Sequence, residues 1–150
     1  MIAIKRRITY PNAVATVRGG MDAPGLMGEV RFFQNRDSVT VSVNISGLTY
    51  SESGFFGFHI HEGISCTGKG FPNTGNHYDP TGNSHPRHKG DLPPLLKCNG
   101  GAYTTVLTDR FRVADIIGKT VVIHSMPDDF TTQPAGNAGT KIACGVIRRV

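Results

Sequence analysis

Apolar and polar positions alternate with a period of two along the first part of the chain. Ala13, Ala15 and Val17 share one face of a run bounded by Pro11 and Gly19–Gly20. Val30 and Phe32 share a face of Gly28–Gln34, and Val39, Val41, Val43 and Ile45 share a face of a run ending at Gly47. Phe56, Phe58 and Ile60 then alternate with Gly57, His59 and His61. Successive side chains of a strand point to opposite faces, so each run predicts a half-buried β-strand. Strand character returns at Tyr103–Thr108, Thr120–Ser125 and Ile142–Ile147, while Arg112–Ile117 has room for one helical turn. Short runs separated by turn residues predict an antiparallel all-β domain.

Two stretches break the pattern. Glu62 to Gly101 is rich in Gly, Pro, Asn and His, and Met126–Thr140 is irregular as well. The first is too long for a passive connector in a compact domain. Chemistry is therefore expected in two long loops hung on a β scaffold.

Composition narrows the field. The 150 residues suit one domain spanning 1–150. The 19 Gly and 9 Pro favour short strands and turns over long helices. No apolar run approaches the ~18 residues of a membrane-spanning helix, so no membrane partner is expected. A chain that is 38% apolar with 8 Phe does not read as disordered. The net charge of +5 is spread between Lys5, Arg6 and Arg7 at one end, Arg148 and Arg149 at the other, and single residues between. No aromatic-interleaved basic stripe points to nucleic acid. The first residues lack the apolar stretch and cleavage site of a secretory signal, so a cytoplasmic location is expected, although a mature exported chain would read alike. Without export the sequon at Asn44 carries little weight. Three cysteines do not make a disulfide framework.

All 6 histidines lie between positions 59 and 124. His59 and His61 project from one side of a strand, opposite Phe58 and Ile60, and make a two-point metal clamp. In the long loop, His77, His85, His88 and Asp91 supply three imidazoles and a carboxylate, enough to close a tetrahedral zinc shell and order the loop around it. His124 ends the apolar strand Val121–Ile123. It is either a neutral core histidine or a further ligand, depending on whether that strand lies beside the one carrying His59. The string Gly63-Ile64-Ser65-Cys66-Thr67-Gly68-Lys69-Gly70 nearly matches a phosphate-binding loop, but Gly70 lacks the required hydroxyl and no helical pattern follows.

From Gly57 to Ile147 the chain resembles the copper–zinc superoxide dismutases. The carrying strings are Gly57-Phe58-His59-Ile60-His61-Glu62, Gly75-Asn76-His77-Tyr78-Asp79-Pro80, His88-Lys89-Gly90-Asp91-Leu92, Gly136-Asn137-Ala138-Gly139 and Ala143-Cys144-Gly145-Val146-Ile147. The short step from Glu62 to Cys66 and the Gly90-Asp91-Leu92-Pro93 string look more like bacterial members. The resemblance implies a Greek-key β-sandwich, or flattened eight-stranded antiparallel barrel, with two functional loops. It implies copper on His59, His61, His77 and His124, and zinc on His77, His85, His88 and Asp91, so that His77 serves both metals. The substrate would be the superoxide anion, dismuted to O2 and hydrogen peroxide, with His77 taking up and returning a proton.

The resemblance further implies that Asp128 links the outer nitrogens of His59 and His85, and that Cys66 and Cys144 form a disulfide, leaving Cys98 free. Lys141 stands where family members typically carry Arg beside the copper channel. Lys keeps the charge but not the planar two-pronged donor, so slower turnover is expected. Ala135 replaces a frequent Thr at the channel rim. The shortened Glu62–Cys66 segment removes material of the animal-type dimer contact, so a homodimer is not carried over by the resemblance. Two other readings stand beside the enzyme: a non-catalytic copper- and zinc-binding module of the same fold, and a mononuclear zinc hydrolase or lyase using His59, His61 and His124.

Overall fold

The computed structural model describes residues 9–150; the basic cluster Lys5-Arg6-Arg7 lies outside them. Among the described residues, nine strands, one helical turn and a single 3₁₀ turn make up the fold. The strands are β1 (Ala13–Gly19), β2 (Met27–Gln34), β3 (Val39–Ser46), β4 (Phe55–Phe56), β5 (Phe58–His61), β6 (Leu95–Leu96), β7 (Ala102–Thr108), β8 (Thr120–His124) and β9 (Lys141–Arg149). The turns are Pro72–Thr74 and α1, Val113–Ile116. Seven strands form one antiparallel sheet in the order β5-β8-β9-β1-β2-β3-β7, and β4 pairs with β6 in a second. Neighbours distant in sequence, such as β3 with β7 and β5 with β8, give the Greek-key connectivity.

The alternation read from the sequence decides which face is buried. Ala15 lies between Val30 of β2 and Ile147 of β9, and all three are fully buried. Ala13 faces Phe32, which faces Val41 on β3. Small residues opposite large ones let the inner faces interdigitate at core density. Phe56, Phe58, Ile60, Val121 and Ile123 continue this core beneath the histidine strands.

The run Phe56–Ile60 does not form one strand. The Gly57 N–H bonds to the Met126 carbonyl and its own carbonyl accepts from His124, so the chain turns a corner there. Phe56 joins the short sheet and Phe58–His61 joins the large one, a switch typical of sandwich corners. Leu95–Leu96 is too short to show alternation in sequence.

The long loop is ordered against β5. One edge of β5 pairs with β8, setting His59 opposite Val122. The loop runs back along the other edge: Gly90 accepts from the Ile60 N–H at 2.9 Å, and the Ile60 carbonyl accepts from Tyr78 at 2.8 Å. Bridges then form between His61 and His77 and between His59 and Asp91. Gly90 is required for this approach, since a Cβ there would lie 2.2 Å from the Ile60 oxygen. Cys66 and Cys144 form a disulfide across 78 positions, tying the start of the loop to β9. Cys98 is free and exposed.

Candidate metal centre

Two strands and one long loop deliver the histidines to one place. β5 carries His59 and His61, and β8 beside it ends in His124. A bulge between β8 and β9 pairs Ile123 with Ala143 but His124 with Lys141, which re-aims both side chains. The long loop contributes His77, His85, His88 and Asp91. Ligand atoms of His59, His61, His77 and His124 all lie within 4.8 Å of one another, and so do those of His77, His85, His88 and Asp91. His77 belongs to both groups, and its ring centroid is 4.0 Å from that of His59. Every member is buried except His88, which is partly so.

Hydrogen bonds select the nitrogen that each ring can offer. His59 Nε2 donates to Asp128 Oδ2 at 2.8 Å, and His85 Nε2 donates to Asp128 Oδ1 at 2.7 Å. Both rings therefore turn Nδ1 inward. His61 Nδ1 donates to the Gly75 carbonyl at 2.9 Å, so its Nε2 faces inward, 3.2 Å from His124 Nε2. His77 Nδ1 meets Asp91 Oδ1 at 2.7 Å, which leaves Nε2 for the other group. Among the described residues, the buried atoms His59 Nδ1, His77 Nε2, His85 Nδ1, His88 Nδ1 and His124 Nδ1 have no hydrogen-bond partner, while His85 Nδ1 and His88 Nδ1 lie 3.1 and 3.2 Å from Asp91 Oδ2. Orphaned buried nitrogens are costly, and their convergence in two groups is what a pair of cations would satisfy. A nitrogen-only set suits Cu(II), and a set of three imidazoles and a carboxylate suits Zn²⁺.

Electrostatics point the same way. Burial, reinforced by the neighbouring His124 and His77 rings, holds His61 well below the usual imidazole range. Burial and then the His59 and His77 rings push His124 down to about 3. Burial lowers His59 despite its bond to Asp128. At neutral pH these rings keep lone pairs for a metal. Burial alone would raise the Asp128 carboxyl, but the bonds from His59, His85 and the Phe130 N–H outweigh it and hold it at about 2. Asp91 is likewise kept low against burial, chiefly by His77.

A cavity of about 450 Å³ opens over the first group, lined by His61, His77, His124, Ala135, Gly139 and Lys141. Its charged lining is Lys141 with the carboxylates Glu62 and Asp79. Lys141 Nζ donates to Thr74 Oγ1 at 2.8 Å and to the Gly75 carbonyl at 3.0 Å, the same carbonyl that orients His61. Burial lowers the Lys141 ammonium from its usual range.

Several contributors went unmarked in the sequence reading. Thr74 receives Lys141, and Gly75, quoted only as part of a string, orients His61. Gly136, within a string quoted for the resemblance, packs against Asp128. Arg110 and Gln133 hold loop backbone and carry no motif at all.

An all-β sandwich whose loops converge on two histidine-rich groups sharing one ring defines a dinuclear metalloprotein. The family model described as copper/zinc superoxide dismutase (SODC) matches residues 26–147, and the chain belongs to that family. It is an oxidoreductase that converts superoxide to O2 and hydrogen peroxide at a His-bridged copper–zinc centre. No helix among the described residues is long and apolar enough to cross a membrane.

Proposed function

We propose that His59, His61, His77 and His124 hold copper, that His77, His85, His88 and Asp91 hold zinc, and that Lys141 and Asp128 serve the reaction from beside them. The carrying observation is the opposed use of His77: Nδ1 lies against Asp91 while Nε2 is unpartnered within the other group. When bound, copper supplies the one-electron couple that oxidises one superoxide and reduces the next, and zinc supplies a fixed divalent charge. The chain's own groups do the rest. Asp128 locks the His59 and His85 rings with one carboxylate. His77 Nε2 is the atom at which a proton can be held and returned to the reduced product. Lys141 places positive charge at the cavity and draws in the anion.

The zinc hydrolase reading leaves His85, His88 and Asp91 without work, although they gather around one point with His77. Metal analysis with ligand variants tests the division. His61→Ala should lose copper and keep zinc, His88→Ala should lose zinc first, and His77→Ala should weaken both. Equal loss of both metals from His61→Ala would contradict it.

The remaining attributes are proposals of the same kind. Residues 1–150 are taken as one domain acting on superoxide, with no nucleic-acid partner. A homodimer is proposed because the cross-strand pair Phe55 and Leu96 is exposed on the short sheet; sedimentation at micromolar concentration tests it. A cytoplasmic location is proposed with export as its alternative, which the disulfide across 78 positions favours because such bonds persist in oxidising compartments. Cell fractionation decides between that and export.

A further inference from the structure

The loop bearing His85, His88 and Asp91 is gripped from outside by two side chains that belong to neither histidine group. Arg110, just after β7, donates from Nη1 to three of its carbonyls: Pro86 at 2.8 Å, His88 at 3.1 Å and Asp91 at 3.2 Å. Gln133, from the loop between β8 and β9, holds the His85 backbone on both sides. Its Oε1 accepts from the His85 N–H at 2.9 Å, and its Nε2 donates to the His85 carbonyl at 2.6 Å. Three residues of the second group thus have main chains fixed by segments remote in sequence. These bonds add to the pairing of Gly90 and Asp91 with β5 and the burial of Leu92. A cleft of about 320 Å³, lined by Leu92, Pro93, Val106, Leu107 and Phe130, separates the loop from β7, and Arg110 stands at its wall.

We propose that Arg110 and Gln133 are positioning residues that preset this loop for its ion. The inference rests on the assignment of His77, His85, His88 and Asp91 to zinc. Guanidinium-to-carbonyl bonds are charge-assisted and stronger than neutral ones. Each carbonyl engaged removes backbone freedom that would otherwise have to be lost when the metal binds. Arg110 gathers three acceptors from a six-residue stretch, Pro86 to Asp91, so its loss frees the segment between two ligands and not one contact alone. Gln133 fixes the ligand at the segment's start.

The test is zinc affinity by chelator competition on copper-loaded protein, with Co(II) substitution to report coordination geometry. Arg110→Ala and Gln133→Ala should each weaken zinc by about 10-fold, and the double variant by more, the range expected for groups that orient ligands. Arg110→Lys should recover much of the loss, since all three bonds leave the single nitrogen Nη1 and an ammonium also carries three N–H donors on one nitrogen. Copper affinity should change little. The amides of His85 and of residues 87–91 in the metal-free variants should exchange hydrogen faster than in the parent chain. A double variant that binds zinc within about twofold of the parent overturns the proposal, as does an equal fall in thermal stability of metal-free and zinc-loaded forms. Asp91→Ala is the control for the underlying assignment: if zinc binding survives it unchanged, the ligand set is wrong and Arg110 is not the cause.

Discussion

Gly136 lies directly against the Asp128 carboxylate. A Cβ at this position would come within 2.1 Å of Asp128 Oδ1 and 2.6 Å of His85 Nε2, and its φ of 70° is one that side-chain-bearing residues rarely adopt. The carboxylate that joins the two histidine groups therefore depends on a backbone with no side chain above it. Gly136→Ala should displace Asp128, cost about 2 kcal/mol of stability and weaken both metals. Denaturant unfolding of the metal-free form and metal competition check this; unchanged values for both would show that the loop absorbs the methyl.

Acid should destabilise the metal-free protein in a defined window. His59, His61 and His124 have folded-state values below the ordinary 6.5, with His124 at about 3. The unfolded chain protonates near pH 6.5 while the folded chain does not, so the unfolded state binds more protons and stability falls as pH drops. The histidine contribution is whole above pH 6.5 and erodes toward pH 3. Asp128 extends the loss from 3.8 down toward 2. Melting curves of metal-free protein between pH 8 and pH 4 should show a steadily falling Tm; a flat profile would mean that these rings are already charged when folded.

At the cavity, one cation stands among two carboxylates. Lys141→Ala should leave Glu62 and Asp79 as the only fixed charges on the lining among the described residues. The superoxide rate should drop about 10-fold, and added salt should then raise it instead of lowering it. Lys141→Arg should raise the rate above that of the parent chain, because a guanidinium can hold Gly75 with one nitrogen and offer another to the anion. Stopped-flow or pulse-radiolysis rates across a salt series provide the check. No rise for the Arg variant would mean that Lys141 does not limit turnover.

Replacing Cys66 with Ser should be felt as stability more than chemistry. Removing a cross-link over 78 positions relaxes the unfolded chain by roughly 4 kcal/mol in the loop-entropy account. A Tm decrease of about 10 °C follows for a domain of this size. Calorimetry with and without reductant should show the parent chain responding to reduction and the variant not responding.

Much of the fold could be read from alternation alone. Ala13, Ala15 and Val17, or Val39 through Ile45, each declare a buried face, and tertiary packing uses it. Gly57 broke the rule, because its N–H is spent on Met126 and the chain changes sheets there, a matter of three-dimensional approach. The residues that gather in the two groups were legible because metal chemistry restricts residue type so tightly that His and Asp stand out in a Gly- and Pro-rich loop. Arg110 and Gln133 were not. They act through main-chain carbonyls and amides, which every residue possesses, so no side-chain pattern announces the contact. Gly136 falls between these cases: it sits in a recognised string, but its reason appears only with Asp128 beneath it.

The backward run of the long loop along β5 also serves as a cover. Without it, Phe58 to His61 would expose a bare hydrogen-bonding border to other chains, an invitation to intermolecular β-pairing. Because the cover is knit through His77 and Asp91, loss of the ions loosens the same residues that shield that border. Metal supply should thereby guard against self-association, so that a starved molecule should associate before it unfolds.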